Sequence, residues 1–124
     1  MNLVSDQDAK FALRWLRLYN AIQLYPRGGK FMKVLSEDEI EQKLGALHGW
    51  TLTPQGIQKR YEMGNFRSVM NLVNRVANLA EEINHHPDIF VNYDKVTFTL
   101  TTHDSGGITE RDFKLAERIE AIAP

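Results

Sequence analysis

Three of the four histidines of this chain, His85, His86 and His103, fall within nineteen positions. Hydrophobic spacing places His85 and His86 after a helix and His103 at the close of a strand. A hairpin between these positions can bring both to the same edge of a sheet, where functional sites are often built. Histidine both gives and takes protons near neutral pH, so the cluster indicates acid–base chemistry.

Each of these residues also has a purely structural interpretation. The run His85-His86-Pro87 can simply end a helix, where histidine complements the helix dipole. His103 can be an exposed strand residue, and Asp112, in the first turn of a predicted helix, fits capping better than catalysis. His48 fits a helix end. The clustering of three histidines, and no residue taken alone, favours a function.

Two other chemistries compete with proton transfer. The three histidines and an acidic residue could bind zinc, although adjacent side chains diverge and helical zinc pairs are usually spaced i and i+4. The chain has no cysteine, which excludes disulfides, thiolate zinc sites and a thiol nucleophile. No serine lies in a Gly-x-Ser-x-Gly context, so the sequence disfavours acyl transfer.

The periodicity of apolar residues predicts the elements that would position the cluster. Helices are predicted over 37–47, from Asn65 to a point before Pro87, and over 110–122, with Ser36, Asn65 and Thr109 as caps. Strands are predicted near 50–53 and 57–63, followed by a hairpin of 88–93 and 95–103. The order αββαββα predicts an α+β fold, a four-stranded antiparallel sheet with helices packed on one face. Glu81 lies one turn before His85, which predicts that the two side chains share a helix face.

The composition limits the classes of function. The 124 residues suit one domain, and the net charge of −1 without a basic tract disfavours nucleic acid or an anionic membrane as partner. No apolar run approaches the roughly 20 residues of a membrane helix, and no secretory signal is visible. We therefore expect a cytoplasmic enzyme or binding module, for which oligomerisation would add stability.

The sign of the net charge changes along the chain near residue 31. Residues 1–31 carry five basic and two acidic side chains, whereas 32–124 carry ten basic and fourteen acidic ones. Apolar spacing over 8–24 is typical of an amphipathic helix, so we expect a mobile or helical leader over 1–31 and a domain over 32–124. The segment 27–30, Arg-Gly-Gly-Lys, is typical of a translated ribosome-binding site, which predicts Met32 as the native start.

The spacing of the polar residues resembles that of the pterin-4a-carbinolamine dehydratases. Their signature is matched by Glu81, His85-His86-Pro87, Tyr93, His103 and Asp112. The flanks are similar too, at Gly49-Trp50, Asn65-Phe66, Val76-Ala77, Ala80-Glu81, Val96, Thr102-His103 and Gly106-Gly107-Ile108-Thr109. The resemblance extends from about Leu35 to Ile122. Two departures are Met70, where phenylalanine is common, and Asn84, where an aspartate often precedes the histidines.

The resemblance implies an enzyme that removes water from a 4a-hydroxytetrahydropterin, recycling the cofactor of aromatic amino-acid hydroxylases without a metal or organic cofactor of its own. It implies His85 and His103 as the acid–base pair, with His86 holding the substrate and assisting proton transfer. Glu81 would orient a histidine or favour its protonated form. The remaining residues expected to line or support the pocket are Asn84, Thr101, Thr102, Asp104 and Asp112.

The resemblance also bears on partners. It implies a homodimer or homotetramer that binds a small pterin, with no nucleic acid or membrane as partner. Some animal members of the family also act as dimerisation cofactors for a transcription factor, and related dehydratase-like assembly chaperones tend to lose the histidines. A protein-interaction module is therefore the alternative, and the intact histidine set favours catalysis.

Overall fold

The computed structural model describes residues 32–124, so the predicted leader over 1–31 and its helix lie outside the described residues. The described elements are α1 Glu37–Leu44, β1 Thr51–Thr53, β2 Gly56–Glu62, α2 Phe66–Ile83, β3 Asp88–Asn92, β4 Lys95–Leu100, a 3₁₀ turn His103–Ser105 and α3 Glu110–Ile122. Their order confirms the predicted αββαββα arrangement and the α+β class.

Each helix begins at the residue predicted to cap it. The Ser36 hydroxyl accepts from the Glu39 N–H in a capping box, and the Asn65 side chain accepts from the Ser68 N–H. Thr109 caps α3 in the same way. These side chains satisfy N–H groups that have no partner within the helix, which is why the sequence signal is local and strong.

The four strands form one antiparallel sheet in the order β1-β2-β4-β3. The central pair is β2 and β4, in which Ile57 lies opposite Leu100 and Tyr61 opposite Val96. Alternate residues of β4 are fully buried beneath the helices, and α2 packs on both α3 and β4. The core of the described residues thus lies between one face of the sheet and the helices, as predicted.

Two elements end three residues earlier than predicted. Helix α1 stops at Leu44, with Gly45 as its C-cap. Residues 45–47, which were predicted to be its last turn, are not helical. Strand β4 stops at Leu100, and the predicted extension to His103 is wrong. The N–H of Thr102 donates to Gly107 while the Thr102 carbonyl accepts from Ser105 and Gly106, which closes a tight turn there. His103 therefore opens a 3₁₀ turn after the strand.

A polar cluster on the helix side of the sheet ties α3 to β2. The Glu120 carboxylate accepts from the Trp50 indole at 3.2 Å, from the Lys59 ammonium at 2.7 Å and from the Tyr61 hydroxyl. Partial burial raises the pKa of Glu120, but these hydrogen bonds outweigh it and leave the pKa below its ordinary value. Burial, with Glu120 next to it, raises the pKa of Tyr61 well above its ordinary value.

Within residues 32–124, α2 is the longest helix, at 18 residues, and none of the helices has both the length and the apolar character of a membrane span.

Candidate active site

The end of α2 turns His85 away from the helix and into the protein. Asn84 adopts a left-handed conformation with φ 53°, and its N–H donates to the carbonyls of Ala80 and Glu81. The His85 N–H donates to Ala80 as well. This left-handed cap is a common way to end a helix. It leaves the His85 side chain buried, with only 7% of its surface exposed.

The His85 side chain is hydrogen-bonded to a fully buried carboxylate, that of Asp112. Its Nε2 lies 2.6 Å from Oδ1 of Asp112. The other oxygen of Asp112 accepts from the Thr109 N–H at 2.9 Å and from the Thr102 hydroxyl at 2.8 Å. Since a carboxylate only accepts hydrogen bonds, Nε2 carries a proton and Nδ1 is the acceptor in the neutral ring. Asp112 therefore caps α3, which confirms the capping interpretation of the sequence, and the same side chain is hydrogen-bonded to His85.

His86, the next residue, has a different partner. Its Nε2 lies 2.5 Å from Oε2 of Glu81, and both side chains are exposed. Glu81 thus pairs with His86 and not with His85, the neighbour that the helical spacing predicted. The reason is the left-handed turn at Asn84, which breaks the helical periodicity before either histidine. Adjacent histidines consequently lie against two separate carboxylates.

The two ends of the β3–β4 hairpin meet at one cavity of about 340 Å³. Its lining comprises Asn84, His85, His86, Thr101, Thr102, His103, Asp104 and Arg111. Seven of these eight residues were predicted site residues. They lie in two segments, 84–86 and 101–104, which are separated along the chain by β3 and β4. Of the other two predicted residues, Glu81 contacts the site through His86 and Asp112 through His85.

A second cavity, of about 380 Å³, adjoins the first. It is lined by Pro54, Gln55, Asp88, Thr101, His103, Gly106 and Gly107. Thr101 and His103 belong to both linings, so His103 forms part of the boundary between the two spaces. His103 is exposed and opens the 3₁₀ turn, and it borders both cavities.

The sequence comparisons agree with this geometry. Residues 33–122 match the family model described as Pterin 4 alpha carbinolamine dehydratase. The chain is 47% identical over 92 residues to a protein of Koribacter versatilis, with 74% of this chain and 98% of that protein covered. It is 49% identical over 88 residues to one of Roseiflexus sp., with 71% and 95% covered. Both relatives are provisionally named pterin-4-alpha-carbinolamine dehydratases. The chain belongs to this family.

Two solved structures extend the dehydratase comparison. A transcriptional coactivator/pterin dehydratase from Brucella melitensis superposes with a TM-score of 0.71 at 34% identity, covering 74% of this chain and all of that one. A pterin dehydratase-like protein, identified as a RuBisCO assembly factor in the alpha-carboxysome, gives 0.51 at 26% identity, covering 60% and 88%. The fold of the family therefore occurs both in a protein described as a coactivator/dehydratase and in one described as an assembly factor.

Arg111 is the cavity residue that the sequence analysis missed. Its guanidinium donates to the Asn84 carbonyl at 2.5 Å, which joins α3 to the end of α2. One signal was available in the sequence. Arg111 is the second residue of α3, and a cation in the first turn of a helix is disfavoured by the helix dipole. A positive charge at such a position indicates a partner in another element.

Among residues 32–124, no three histidine, aspartate or glutamate side chains form a group that could hold a metal ion. His85 and His86 lie against Asp112 and Glu81 respectively, so their donor atoms are directed to different places. The residues that meet at the cavity include three histidines, whose rings can give and take protons near neutral pH.

Proposed function

We propose that this protein removes water from a 4a-hydroxytetrahydropterin to give a quinonoid dihydropterin. The observation that carries the proposal is that His85 and His103, from opposite ends of a hairpin, line one cavity with His86. Membership of the dehydratase family supports the substrate class. The cavity of about 340 Å³ lies within the size range of small-ligand sites.

The reaction needs two proton transfers on neighbouring atoms. A base removes the proton on N5, the electron pair forms the N5–C4a double bond, and the C4a–oxygen bond breaks. An acid protonates the departing hydroxyl, which leaves as water. Histidine can serve both roles at one pH, which is the reason for proposing His85 and His103 as the pair.

Asp112 supports the role proposed for His85. With Nε2–H donated to the carboxylate, the neutral ring has Nδ1 as its acceptor, the form required of a base. When Nδ1 takes a proton, the ring becomes a cation beside the buried carboxylate, which stabilises it. Asp112 is a positioning residue, because it acts through His85 and is not part of the cavity lining.

The other cavity residues suit the binding of a polar ring. Arg111 provides a positive charge at the cavity, where it can donate to an oxygen or ring nitrogen of the pterin. His86, backed by Glu81, can donate or accept beside the reacting atoms. Thr101 and Asp104 add hydrogen-bonding groups, whereas the Thr102 hydroxyl is bonded to Asp112 and supports His85.

A protein-interaction role is the second candidate, and one observation favours it. β3 is an edge strand, and its Phe90 side chain is 65% exposed, with Ile89 and Tyr93 also exposed. Edge strands with apolar side chains commonly pair with another chain. This surface supports the predicted homodimer or homotetramer. Such association is compatible with catalysis, and we propose a cytoplasmic enzyme that self-associates.

Stopped-flow measurement with freshly prepared 4a-hydroxytetrahydropterin tests the activity directly. We expect His85→Ala and His103→Ala each to slow dehydration by about 10²–10⁴-fold, the usual contribution of a positioned acid or base. His48→Ala is the matched control, because His48 lies outside the cavity lining, and it should keep the wild-type rate. A rate within threefold of wild type in either cavity variant would overturn the assignment of the pair.

A further inference from the structure

The left-handed turn at Asn84 directs two consecutive histidines to different carboxylates. His85 lies against Asp112 inside the protein, whereas His86 lies against the exposed Glu81. Asn84 has φ 53° and ψ 46°, so the backbone leaves the helical path within one residue. The positions of both histidines therefore depend on the conformation of this one residue.

This conformation is unfavourable for any residue with a side chain, because Cβ lies close to the following carbonyl oxygen. Asparagine tolerates it better than most residues, and glycine adopts it freely. Among residues 32–124, Tyr93 in the β3–β4 turn is the other non-glycine residue with a positive φ. Conformations of this kind at functional sites persist where the surrounding structure holds them.

Arg111 holds the turn from α3. Its guanidinium donates to the Asn84 carbonyl at 2.5 Å, and within residues 32–124 no backbone N–H donates to that carbonyl. The next residue, Asp112, accepts from the ring of His85. Two consecutive residues in the first turn of α3 therefore hold both parts of the end of α2, the backbone at Asn84 and the side chain of His85.

The charge of Arg111 has no acidic partner among residues 32–124, since none of the salt bridges there includes it. The first turn of a helix is also an unfavourable place for a cation. A guanidinium has five N–H donors, so the bond to Asn84 leaves others free to face the cavity. The contact with the turn is therefore a specific use of this side chain.

We propose that Arg111 is a positioning residue, which fixes the left-handed turn and so keeps His85 and His86 apart. Its effect on rate rests on the proposed dehydratase function. Without the bond from Arg111, the turn can relax toward the helical conformation. If α2 continued through residue 85, His85 would lie one turn beyond the exposed Glu81 and away from Asp112.

Arg118 provides a matched control on the same helix. Its guanidinium donates to both oxygens of the Glu82 carboxylate, at 2.7 and 3.1 Å, so it also joins α3 to the end of α2. Unlike Arg111, it does not line the cavity. A loss caused only by looser packing of the two helices should therefore appear in Arg118→Met as well as in Arg111→Met.

The first measurement is the turnover of 4a-hydroxytetrahydropterin. We expect Arg111→Met to lower kcat by about 10–100-fold, since a displacement of about 1 Å can cost up to 10²-fold. Arg118→Met should keep the wild-type kcat. Urea unfolding of the same samples establishes that each variant is folded under the assay conditions.

Substitutions of Asn84 test whether the turn is the link. Asn84→Ala and Asn84→Gly both remove the amide from the cavity, but only alanine disfavours the left-handed conformation. We expect kcat of Asn84→Ala to be about fivefold to tenfold below that of Asn84→Gly. Arg111→Met should add less than threefold to the loss in the Asn84→Ala background, because the turn is already disturbed.

The second measurement uses the free protein without substrate. Proton–nitrogen correlation spectra of the histidine rings report the Nε2–H group that His85 donates to Asp112. Arg111→Met should shift or broaden this signal, and Arg118→Met should leave it in place.

The possible outcomes separate the positioning role from the proposed function. An unchanged His85 signal in folded Arg111→Met, or a rise in KM at unchanged kcat, would overturn the positioning role and leave the dehydratase function standing. Equal losses in Arg111→Met and Arg118→Met would also overturn it. If the wild type turns over no substrate, the dehydratase function fails, and the spectra alone decide whether Arg111 holds the turn.

Discussion

Asp112→Asn tests how the buried carboxylate controls His85. Oδ2 of Asp112 accepts two hydrogen bonds, from the Thr109 N–H and the Thr102 hydroxyl, whereas Oδ1 faces Nε2 of His85. In the variant, the amide oxygen keeps the two bonds to the threonines. The NH₂ group must then face His85, and because NH₂ only donates, Nε2 has to become the acceptor. The proton moves to Nδ1, and the neutral ring loses the acceptor proposed for catalysis.

The expected magnitudes for stability and activity differ. The variant keeps the shape of Asp112 and two of its three hydrogen bonds, and the third is reversed and no longer charge-assisted, so we expect the unfolding free energy to fall by about 1–2 kcal/mol. Activity should fall by about 10²–10⁴-fold, because the wrong tautomer removes the proposed base. Asp112→Ala is the contrasting variant. It leaves three groups without their buried acceptor, at roughly 1–3 kcal/mol each, so the fold itself should suffer.

Urea unfolding and stopped-flow rates measured on the same samples separate these effects. A double variant, Asp112→Asn with His85→Ala, shows whether Asp112 acts through His85. If it does, Asp112→Asn adds little to the rate loss already caused by His85→Ala. The reasoning is refuted if folded Asp112→Asn keeps a rate within threefold of wild type, or if its loss is undiminished in the His85→Ala background.

Two further predictions concern stability. Glu120→Gln should lower the unfolding free energy by about 1–2 kcal/mol at neutral pH, because the carboxylate is hydrogen-bonded to Lys59, Tyr61 and Trp50. Since folding lowers the pKa of Glu120 from its ordinary 4.5, this contribution is present above that pH and is lost as the pH falls below it. Urea unfolding at several pH values should therefore show wild type and variant converging in acid. A chain beginning at Met32 should fold, associate and turn over substrate like the full chain; a melting temperature lower by many degrees, or a changed particle size in light scattering, would contradict this.

The starts of the helices could be predicted, and some of the ends could not. Ser36, Asn65 and Thr109 cap through bonds to residues two or three positions later, so the signal is contained in a few neighbouring letters. The end of β4 depends on the bond from Thr102 to Gly107 and on the turn that it closes. The alternation of Val96, Phe98 and Leu100 is followed in register by the β-branched Thr102, so periodicity alone extends the strand too far.

The same difference between local and long-range causes applies to the site. The histidine cluster is visible in the sequence because its members lie within one hairpin and its flanks. The predicted shared helix face of Glu81 and His85 is wrong because Asn84 leaves the helical conformation, and a left-handed asparagine has no reliable signal in a single sequence. Arg111 reaches the cavity by a bond to the Asn84 carbonyl, a contact between distant elements that no spacing rule describes.

Asp112 makes the stability of α3 and the state of His85 depend on the same group. Its two oxygens serve different purposes, since one completes the helix cap and the other holds the histidine. A loss of activity after removing this side chain therefore does not by itself identify a functional role, because the cap is lost too. Only a substitution that preserves the cap and reverses the hydrogen-bond direction at His85 separates the two roles. Thr102 also has two roles, because its hydroxyl is hydrogen-bonded to both Asp112 and Thr109. Thr102→Ser, which keeps the hydroxyl, is therefore more informative than Thr102→Ala, which removes it.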